Sequence, residues 1–374
     1  RKNELVEIIE AYLDKRQSQT PDEQTTASSG KTSGVAPDKT LGHTSVIDIN
    51  AEKEYEEMQL VHTAEHTRAY IKIQDGCNQF CSYCVIPFAR GRVRSRKPEQ
   101  VEEEVRRLAE AGYHEIVLTG IHLSSYGLDF HGESYNTTGG QGNEQELLRL
   151  IGRIHAVDGI TRIRLGSLEP RVITEAFAGA LAALPKVCPH FHLSLQSGCD
   201  SVLKRMNRRY TTEEFARSVE ILRRVYEHPA ITTDVITGFP GETEEEFAQT
   251  VSYLEKIRFF EMHVFPYSRR EGTVAADMPG QLTEKEKKQR SSVLLAMTAR
   301  HSKEYREYYI GKEQEVLFEQ CHEIEGRQYL TGHTRNYVRV AVPVEGIDPA
   351  EMTNQERICR LTGFADDETL LGTY

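Results

Sequence analysis

Residues 73–84 read Ile73-Gln74-Asp75-Gly76-Cys77-Asn78-Gln79-Phe80-Cys81-Ser82-Tyr83-Cys84, which gives three cysteines the spacing C-x3-C-x2-C. Thiolates at such tight spacing favour iron–sulfur clusters or zinc over hard cations. A 4Fe-4S cluster normally has a cysteine ligand on each iron, so this loop supplies three ligands and leaves one iron open. An open metal position is a place where a further molecule can bind, as in catalytic zinc sites.

Two other interpretations of the cysteines have less support. A zinc site usually has two ligand pairs with a longer gap between them, and no second C-x2-C pair accompanies these three residues. A disulfide framework is disfavoured because the chain is long, has an odd seven cysteines and shows no secretory signal at its start. The remaining thiols are predicted to be small buried hydrophobic groups, at Cys188, Cys199, Cys321 and Cys359.

Length and charge set broad limits on the protein. A chain of 374 residues exceeds what one hydrophobic core usually supports, so we expect two domains and a linker. No apolar run approaches the length needed to span a bilayer, and we expect no membrane partner. The formal net charge of −11 argues against indiscriminate binding to nucleic acid. Reduced thiols and an oxygen-sensitive cluster suit a cytoplasmic protein.

Composition divides the chain into four segments. Residues 1–15 carry a helical apolar stripe with little to pack on, and we interpret them as the tail of a preceding domain. Residues 16–62 are rich in Ser, Thr, Gly and Pro, which predicts a partly disordered linker. Residues 63–310 form the predicted core domain, and residues 311–374 a smaller second domain.

The core domain alternates six apolar strands with helices, which predicts an α/β fold with a parallel sheet curled into a partial (β/α)6 barrel. After Gly311 short apolar segments are separated by turn residues, which predicts a small antiparallel β-barrel. In α/β barrels the chemistry lies at the carboxyl ends of the strands, and the cysteine loop follows the first strand. The sequence therefore places the cysteines at the functional end.

Polar groups and glycines follow the other strands as well. Gly120 ends the second strand, where the lack of a side chain would let a ligand approach; a plain turn glycine is the alternative. Ser167 and Glu169 end the third strand, and an exposed glutamate at a helix start competes with a ligand-binding role. Gln196 follows the fourth strand. Asp234 lies within the apolar fifth strand, so we expect it to have a polar partner.

These strand ends belong to longer runs that resemble one family, the methylthiotransferases among the radical S-adenosylmethionine enzymes. Within that family the chain is most similar to the tRNA threonylcarbamoyladenosine methylthiotransferases. The resemblance extends from about residue 65 to the end of the chain. Its motifs are Ile73-Gln74-Asp75-Gly76-Cys77, Val85-Ile86-Pro87-Phe88-Ala89-Arg90-Gly91, Val117-Leu118-Thr119-Gly120-Ile121-His122, Ser194-Leu195-Gln196-Ser197-Gly198, Asp234-Val235-Ile236-Thr237-Gly238-Phe239-Pro240-Gly241-Glu242-Thr243 and His263-Val264-Phe265-Pro266-Tyr267-Ser268.

The resemblance implies a set of cofactors. Cys77, Cys81 and Cys84 would hold one 4Fe-4S cluster, whose open iron chelates S-adenosylmethionine, and a second cluster would belong to an amino-terminal domain missing from this chain. The cofactor-binding residues would be Gly120, Ser167, Glu169, Gln196 and Asp234. Since the cofactors carry the radical chemistry, we predict no catalytic side chain and expect the fourteen histidines to be structural or solvated.

The resemblance also implies partners and a reaction: addition of a methylthio group to C2 of N6-threonylcarbamoyladenosine at position 37 of tRNA, beside the anticodon. A monomer is expected, served by an electron donor such as flavodoxin or ferredoxin and by a sulfur donor. The second domain resembles the RNA-binding TRAM module, although its acidic residues outnumber its basic ones. Contacts to the anticodon stem-loop are predicted at Arg90, Arg92, Arg94, Arg208, Arg209, Tyr337 and Arg339.

Two alternatives remain open from the sequence. The same chemistry could act on isopentenyladenosine in tRNA or on a ribosomal protein. The chain could instead be a non-catalytic iron–sulfur protein that binds RNA, which predicts tRNA binding without release of 5'-deoxyadenosine.

Overall fold

The computed structural model describes residues 49–50, 52, 54–56, 67–131, 144–346 and 348–374. The predicted amino-terminal tail, residues 1–15, lies outside the described residues, as does most of the predicted linker. Within the described part of the chain, no helix combines the length and the apolar character needed to cross a bilayer.

A partial barrel occupies the first part of the described chain. Its strands follow the order β2-β1-β3-β4 in one sheet and β5-β6-β7 in another, and parallel bridges such as Leu168 with Leu193 join the two sheets. All strands of the two sheets except β2 run parallel to their neighbours, as predicted. The strands are β1 (Arg68–Asp75), β2 (Arg94–Ser95), β3 (Glu115–Gly120), β4 (Arg162–Leu165), β5 (His190–His192), β6 (Ala230–Thr237) and β7 (Glu261–Pro266).

Helices cover the outside of these strands and bury one apolar core with them. The predicted capping box at Thr211 and Glu214 is confirmed, and Thr243 and Thr283 begin their helices in the same way. The helices are α1 (Ile86–Ala89), α2 (Pro98–Glu110), α3 (Glu144–His155), α4 (Glu175–Ala182), α5 (Asp200–Arg205), α6 (Thr212–Val225), α7 (Glu244–Ile257) and α8 (Glu284–Glu307). Helix α8 contacts the open edge, where Thr298 accepts a hydrogen bond from the Met262 amide at 2.8 Å.

The carboxyl-terminal strands close into a five-stranded barrel in the order β10-β12-β11-β8-β9. Four neighbouring pairs are antiparallel: β8 with β9, β9 with β10, β11 with β12, and β8 with β11. The fifth pair, β10 with β12, is parallel. The expectation of a purely antiparallel barrel is therefore wrong at the pair that closes it, because local turn signals cannot reveal a long-range pairing. The elements are β8 (Glu313–Ile324), β9 (Arg327–Thr334), β10 (Arg339–Pro343), α9 (Pro349–Met352), β11 (Glu356–Phe364) and β12 (Leu370–Thr373).

Charged groups join this second barrel to the amino ends of the partial-barrel strands. Glu115, the first residue of β3, is fully buried and lies 2.9 Å from the Nε of Arg164. Arg162 begins β4, and its guanidinium lies 2.6 Å from a carboxylate oxygen of Glu356 in the second barrel. Arg68 begins β1 and donates a hydrogen bond of 2.8 Å to the Tyr337 hydroxyl. The second barrel thus covers the end of the strands opposite the cysteine loop.

Candidate functional site

The cysteine loop leaves β1 through a sharp turn at Gly76, whose φ is +70°. A Cβ at Gly76 would overlap the carbonyl group of Arg92, so the close approach requires glycine. The Asp75 carboxylate accepts a hydrogen bond from the Gly76 amide at 2.9 Å, and the Cys77 amide donates to the Gly91 carbonyl at 3.1 Å. The loop therefore has a fixed start and a fixed return.

The three cysteines meet other strand ends at a cavity of about 160 Å³. All three are free thiols in the structure. Side chains from the ends of β1, β3, β4 and β5 surround them, which agrees with a site at the carboxyl ends of the strands. The lining residues are Cys77, Gln79, Cys81, Tyr83, Cys84, Ile86, Ile121, His122, Ser167, Leu168, Glu169, Ser194, Gln196 and Arg208.

The environment of the thiols disfavours free thiolates. It suits thiolates whose charge is balanced by a bound metal group. Burial raises the pKa of the Cys77 thiol to about 11 and also raises the pKa of Cys84. The guanidinium groups of Arg208 and Arg270 oppose this effect, and Arg208 Nη1 also donates a hydrogen bond of 3.2 Å to the Cys81 sulfur. Three soft donors close together, one buried and two half-buried, fit an iron–sulfur cluster better than three free thiolates.

Glu169 is the anionic group of the cavity and is 7% exposed, so the alternative of an exposed helix-start glutamate is excluded. Its carboxylate accepts a hydrogen bond from Arg171 Nε at 2.6 Å and lies 3.4 Å from His122 Nε2. Burial acts to raise the pKa of Glu169, but the hydrogen bonds from His122 and Arg171 outweigh it and lower that pKa to about 2. Glu169 is therefore a buried carboxylate at neutral pH, suited to an amine or a hydroxyl donor.

A wider cavity of about 450 Å³ adjoins the first and shares several of its walls, including Cys84 and Gln196. Gln196 has a φ of +74°, a strained value for a residue with a side chain, and it is held by backbone bonds to Asp234 and Ile236. The expected polar partner of Asp234 is His192, whose Nε2 lies 3.2 Å from the carboxylate. Both Gln196 and Asp234 line the wider cavity.

Gly120 makes a close packing contact that the sequence did not reveal, while its cofactor-binding role stays a prediction. It ends β3 beside the cavity, and a Cβ there would lie 3.0 Å from Gln74 Oε1. That oxygen accepts a hydrogen bond from the His122 amide at 2.8 Å. The glycine is therefore explained by close packing on the Gln74 side chain beneath it, which positions the cavity wall at His122.

The structure separates the predicted RNA contacts into two groups. Arg94 is buried and donates to the Arg90 carbonyl, and Arg208 lies against Cys81, so neither guanidinium is on the open surface for phosphate. Tyr337 stacks on His190 and His333 at ring-centroid distances of 4.9 and 4.6 Å, which occupies its ring at the junction of the two barrels. These contacts within the chain do not favour RNA binding by the three residues, for which RNA contact stays a prediction. The other group is Arg90, Arg92 and Arg209, which are exposed, and Arg339, which is half-buried in β10.

Several residues near the cavities were missed from the sequence. His122 and His192 contact the two carboxylates of the site, Glu169 and Asp234, and nothing in the sequence indicated these contacts. Phe265 lines the wider cavity with its ring 52% exposed, and Arg270 lies beside it. The sequence motif at the end of β7 was noted, but Phe265 was not singled out. The alternation of inward and outward residues along this strand could have identified Phe265 as a cavity residue.

The profile of the radical SAM superfamily matches residues 71–254, which include the cysteine loop and the strand ends described above. The described part of the chain contains a radical SAM domain. This match agrees with the 4Fe-4S cluster and S-adenosylmethionine that the sequence led us to expect. The donor set of the cysteine cavity fits that assignment.

Curated relatives extend the similarity beyond the domain. The chain is 41% identical over 297 residues to threonylcarbamoyladenosine tRNA methylthiotransferase MtaB of Bacillus subtilis, covering 79% of this chain and 63% of the relative. It is 41% identical over 276 residues to the MtaB protein of Thermotoga maritima, covering 74% and 60%. A tRNA-2-methylthio-N(6)-dimethylallyladenosine synthase of Pelotomaculum thermopropionicum is 38% identical over 309 residues, covering 81% and 66%. The chain thus spans just under two thirds of the length of these relatives.

Proposed function

We propose that this chain is the radical SAM part of a tRNA methylthiotransferase that adds a methylthio group to C2 of N6-threonylcarbamoyladenosine at position 37, next to the anticodon. The observation that carries the proposal is the cavity in which three free thiols, Glu169 and Gln196 meet at the carboxyl ends of the strands. Two relatives at 41% identity bear the name of this activity. Reaction, substrate and partners are inferences for the whole protein.

The cavity residues have distinct roles in this proposal. Cys77, Cys81 and Cys84 hold the cluster, and Arg208 donates a hydrogen bond to the Cys81 sulfur. Glu169 accepts hydrogen bonds from the amine or a ribose hydroxyl of S-adenosylmethionine, aided by Ser167 and Gln196, which line the same cavity. When bound, the cluster and S-adenosylmethionine supply the electron and the radical chemistry, while the cavity walls exclude water.

The wider cavity suits the modified nucleoside. Its volume of about 450 Å³ matches a ligand of that size, and the exposed Phe265 ring offers a stacking surface for a base. Arg270 lines the same cavity and can pair with an anionic group. Arg90, Arg92 and Arg209 are exposed cations that would meet phosphates of the anticodon stem-loop, together with the half-buried Arg339 of the second barrel.

We also propose the wider organisation. Residues 63–310 form the catalytic domain and residues 311–374 a TRAM-like barrel, and in the whole protein a further methylthiotransferase domain would accompany them. That further domain would carry a second 4Fe-4S cluster close to the sulfur source. The protein would work in the cytoplasm as a monomer, with flavodoxin or ferredoxin as the electron donor.

Nucleoside mass spectrometry of tRNA tests the proposal. Cells that lack the full-length protein should lose 2-methylthio-N6-threonylcarbamoyladenosine and regain it when the gene returns. A Cys81→Ala version should fail to restore it, whereas Cys321→Ala, altered at an exposed thiol of the second barrel, should restore it fully. Loss of 2-methylthio-isopentenyladenosine instead would contradict the substrate but retain the chemistry.

The isopentenyladenosine substrate is the second candidate, since one relative at 38% identity is named for the dimethylallyl form. The two substrates differ in charge, because the threonylcarbamoyl group carries a carboxylate and the isopentenyl group is apolar. Arg270 in the wider cavity favours the charged one. The non-catalytic alternative predicts tRNA binding with no 5'-deoxyadenosine released under reducing conditions.

A further inference from the structure

Three side chains that the cluster does not use converge on the inner face of β5, β6 and β7. His192, Asp234 and His263 each offer a ligand atom, and these atoms all lie within 4.8 Å of one another. They form a group of the type that binds borderline transition metals, two imidazoles and one carboxylate.

Strand register explains why the three side chains share one face. Asp234 in β6 pairs directly with His263 in β7, and His192 in β5 pairs with Thr232, two residues before Asp234. Paired residues on parallel strands project to the same side, and so do residues two apart on one strand. Asp234 lines the wider cavity, so this common face is the inside of the partial barrel.

We propose that His192, Asp234 and His263 form a second metal site, which takes one divalent transition ion of the Zn²⁺ or Fe²⁺ type in the floor of the wider cavity. The His192 Nε2 and Asp234 Oδ2 atoms are already 3.2 Å apart, the separation of two ligands that share such an ion. His263 is exposed, so rotation of its side chain closes the remaining distance.

A supporting contact orients the first imidazole. The Nδ1 of His192 lies 3.0 Å from the Thr232 hydroxyl, which leaves its Nε2 directed to Asp234 and to the space between the three residues. Metal-binding histidines commonly have such a hydrogen bond at the other ring nitrogen. Three protein ligands leave coordination positions open, and these face the cavity, where water or an oxygen donor of the bound molecule fills them.

X-ray absorption spectroscopy at the zinc edge distinguishes this site from the cysteine loop. The full chain is first reconstituted with its iron–sulfur cluster under anaerobic conditions, and one equivalent of Zn²⁺ is then added. We expect about one bound zinc per chain, with nitrogen and oxygen neighbours at about 2.0–2.1 Å and no sulfur neighbour at about 2.3 Å. A sulfur shell at 2.3 Å would mean that zinc has entered the cysteine loop, and it would overturn the proposal.

Variants test the two histidine ligands and the supporting Thr232 hydroxyl separately. His263→Gln and His192→Gln should each weaken zinc binding tenfold or more, and Thr232→Val by roughly tenfold through the supporting hydrogen bond. His322→Gln, in the second barrel, is the matched control and should bind zinc like the unchanged chain. Iron content and thermal unfolding are measured for each variant to exclude misfolding. Equal zinc affinity in His263→Gln and the unchanged chain, or no bound zinc at all, would refute the site.

Discussion

The two ends of the partial-barrel strands have opposite chemistry although they belong to the same strands. At the amino ends, Glu115 is surrounded by guanidinium groups and covered by the second barrel. At the carboxyl ends, about 23 Å away along the eight residues of β1, free thiols and Glu169 face open cavities. Charges at the first end satisfy one another, whereas groups at the second end have capacity left for ligands.

This difference explains how a strand can serve stability and function at once. The surrounding arginines outweigh the effect of burial and lower the pKa of Glu115 to about 2, so the charge cluster stays ionised and fixes the second barrel. The cysteine thiols show the reverse, since burial raises the pKa of Cys77 to about 11. The buried ion pairs at the amino ends, the closed end of the strands, are stable only if their charges stay unchanged. The thiols at the carboxyl ends, the open end, can instead bind a cationic metal group.

The largest expected effect concerns the open end. Cys84→Ala should reduce iron and sulfide after anaerobic reconstitution to background, because two thiolates cannot hold a 4Fe-4S cluster firmly. Cys321→Ala should keep the full content. Chemical analysis of iron and sulfide provides the measurement, and the urea midpoint of both metal-free variants should stay near that of the unchanged chain. A cluster that persists in Cys84→Ala would mean that other residues bind it.

The closed end should respond in the opposite way. Glu115→Gln leaves buried arginines without their counter-charge and should cost roughly 3–5 kcal/mol in the free energy of unfolding. Glu103→Gln is the matched control, because its carboxylate is exposed on α2 and should change stability by less than about 0.5 kcal/mol. Urea unfolding of the metal-free protein measures both. Similar losses for the two variants would end the distinction between buried and exposed pairs.

Substitutions of Tyr337 and Arg209 distinguish residues that hold the two barrels together from residues that contact RNA. Tyr337→Leu should lower stability by about 1 kcal/mol, through the lost histidine stacking and guanidinium contacts, and leave tRNA affinity unchanged. Arg209→Ala should keep stability, weaken tRNA binding severalfold and reduce the salt slope by about one. Filter binding over a range of salt concentrations measures affinity. Weaker tRNA binding by Tyr337→Leu at unchanged stability would mean that the Tyr337 ring contacts RNA.

A further prediction is a pH dependence shared by both ends. Glu115 and Glu169 both have a pKa lowered to about 2, so the stability that they contribute is present above the unfolded pKa near 4.5. It is lost as the pH falls from 4.5 through 2. The free energy of unfolding should decline over that window, and Glu115→Gln and Glu169→Gln should each flatten the decline. An unchanged slope in either variant would contradict the lowered pKa of that residue.

Much of the fold was predictable because it rests on local patterns. Apolar strands alternating with helices predicted the parallel order, and Thr211 with Glu214 predicted a helix start. The two-residue strand β2 and the parallel pair of β10 with β12 were not predictable, since they depend on pairing between distant segments.

The site was predictable in its ligands and less so in its charges. The cysteine spacing and the strand-end residues Glu169 and Gln196 led to the cavity. The basic run at Arg208 was assigned to RNA because sequence gives the sign of a charge but not the direction of a side chain. The stacking of Tyr337 on His190 and His333 could not be predicted, since these partners are far apart in sequence.

The most direct test of the account is electron paramagnetic resonance of the reduced, reconstituted chain before and after addition of S-adenosylmethionine. We predict about one 4Fe-4S cluster bound by this chain, with a spectrum that changes when the cofactor reaches the open iron. A spectrum indifferent to the cofactor, or a preparation that contains zinc in place of the cluster at Cys77, Cys81 and Cys84, would contradict the account.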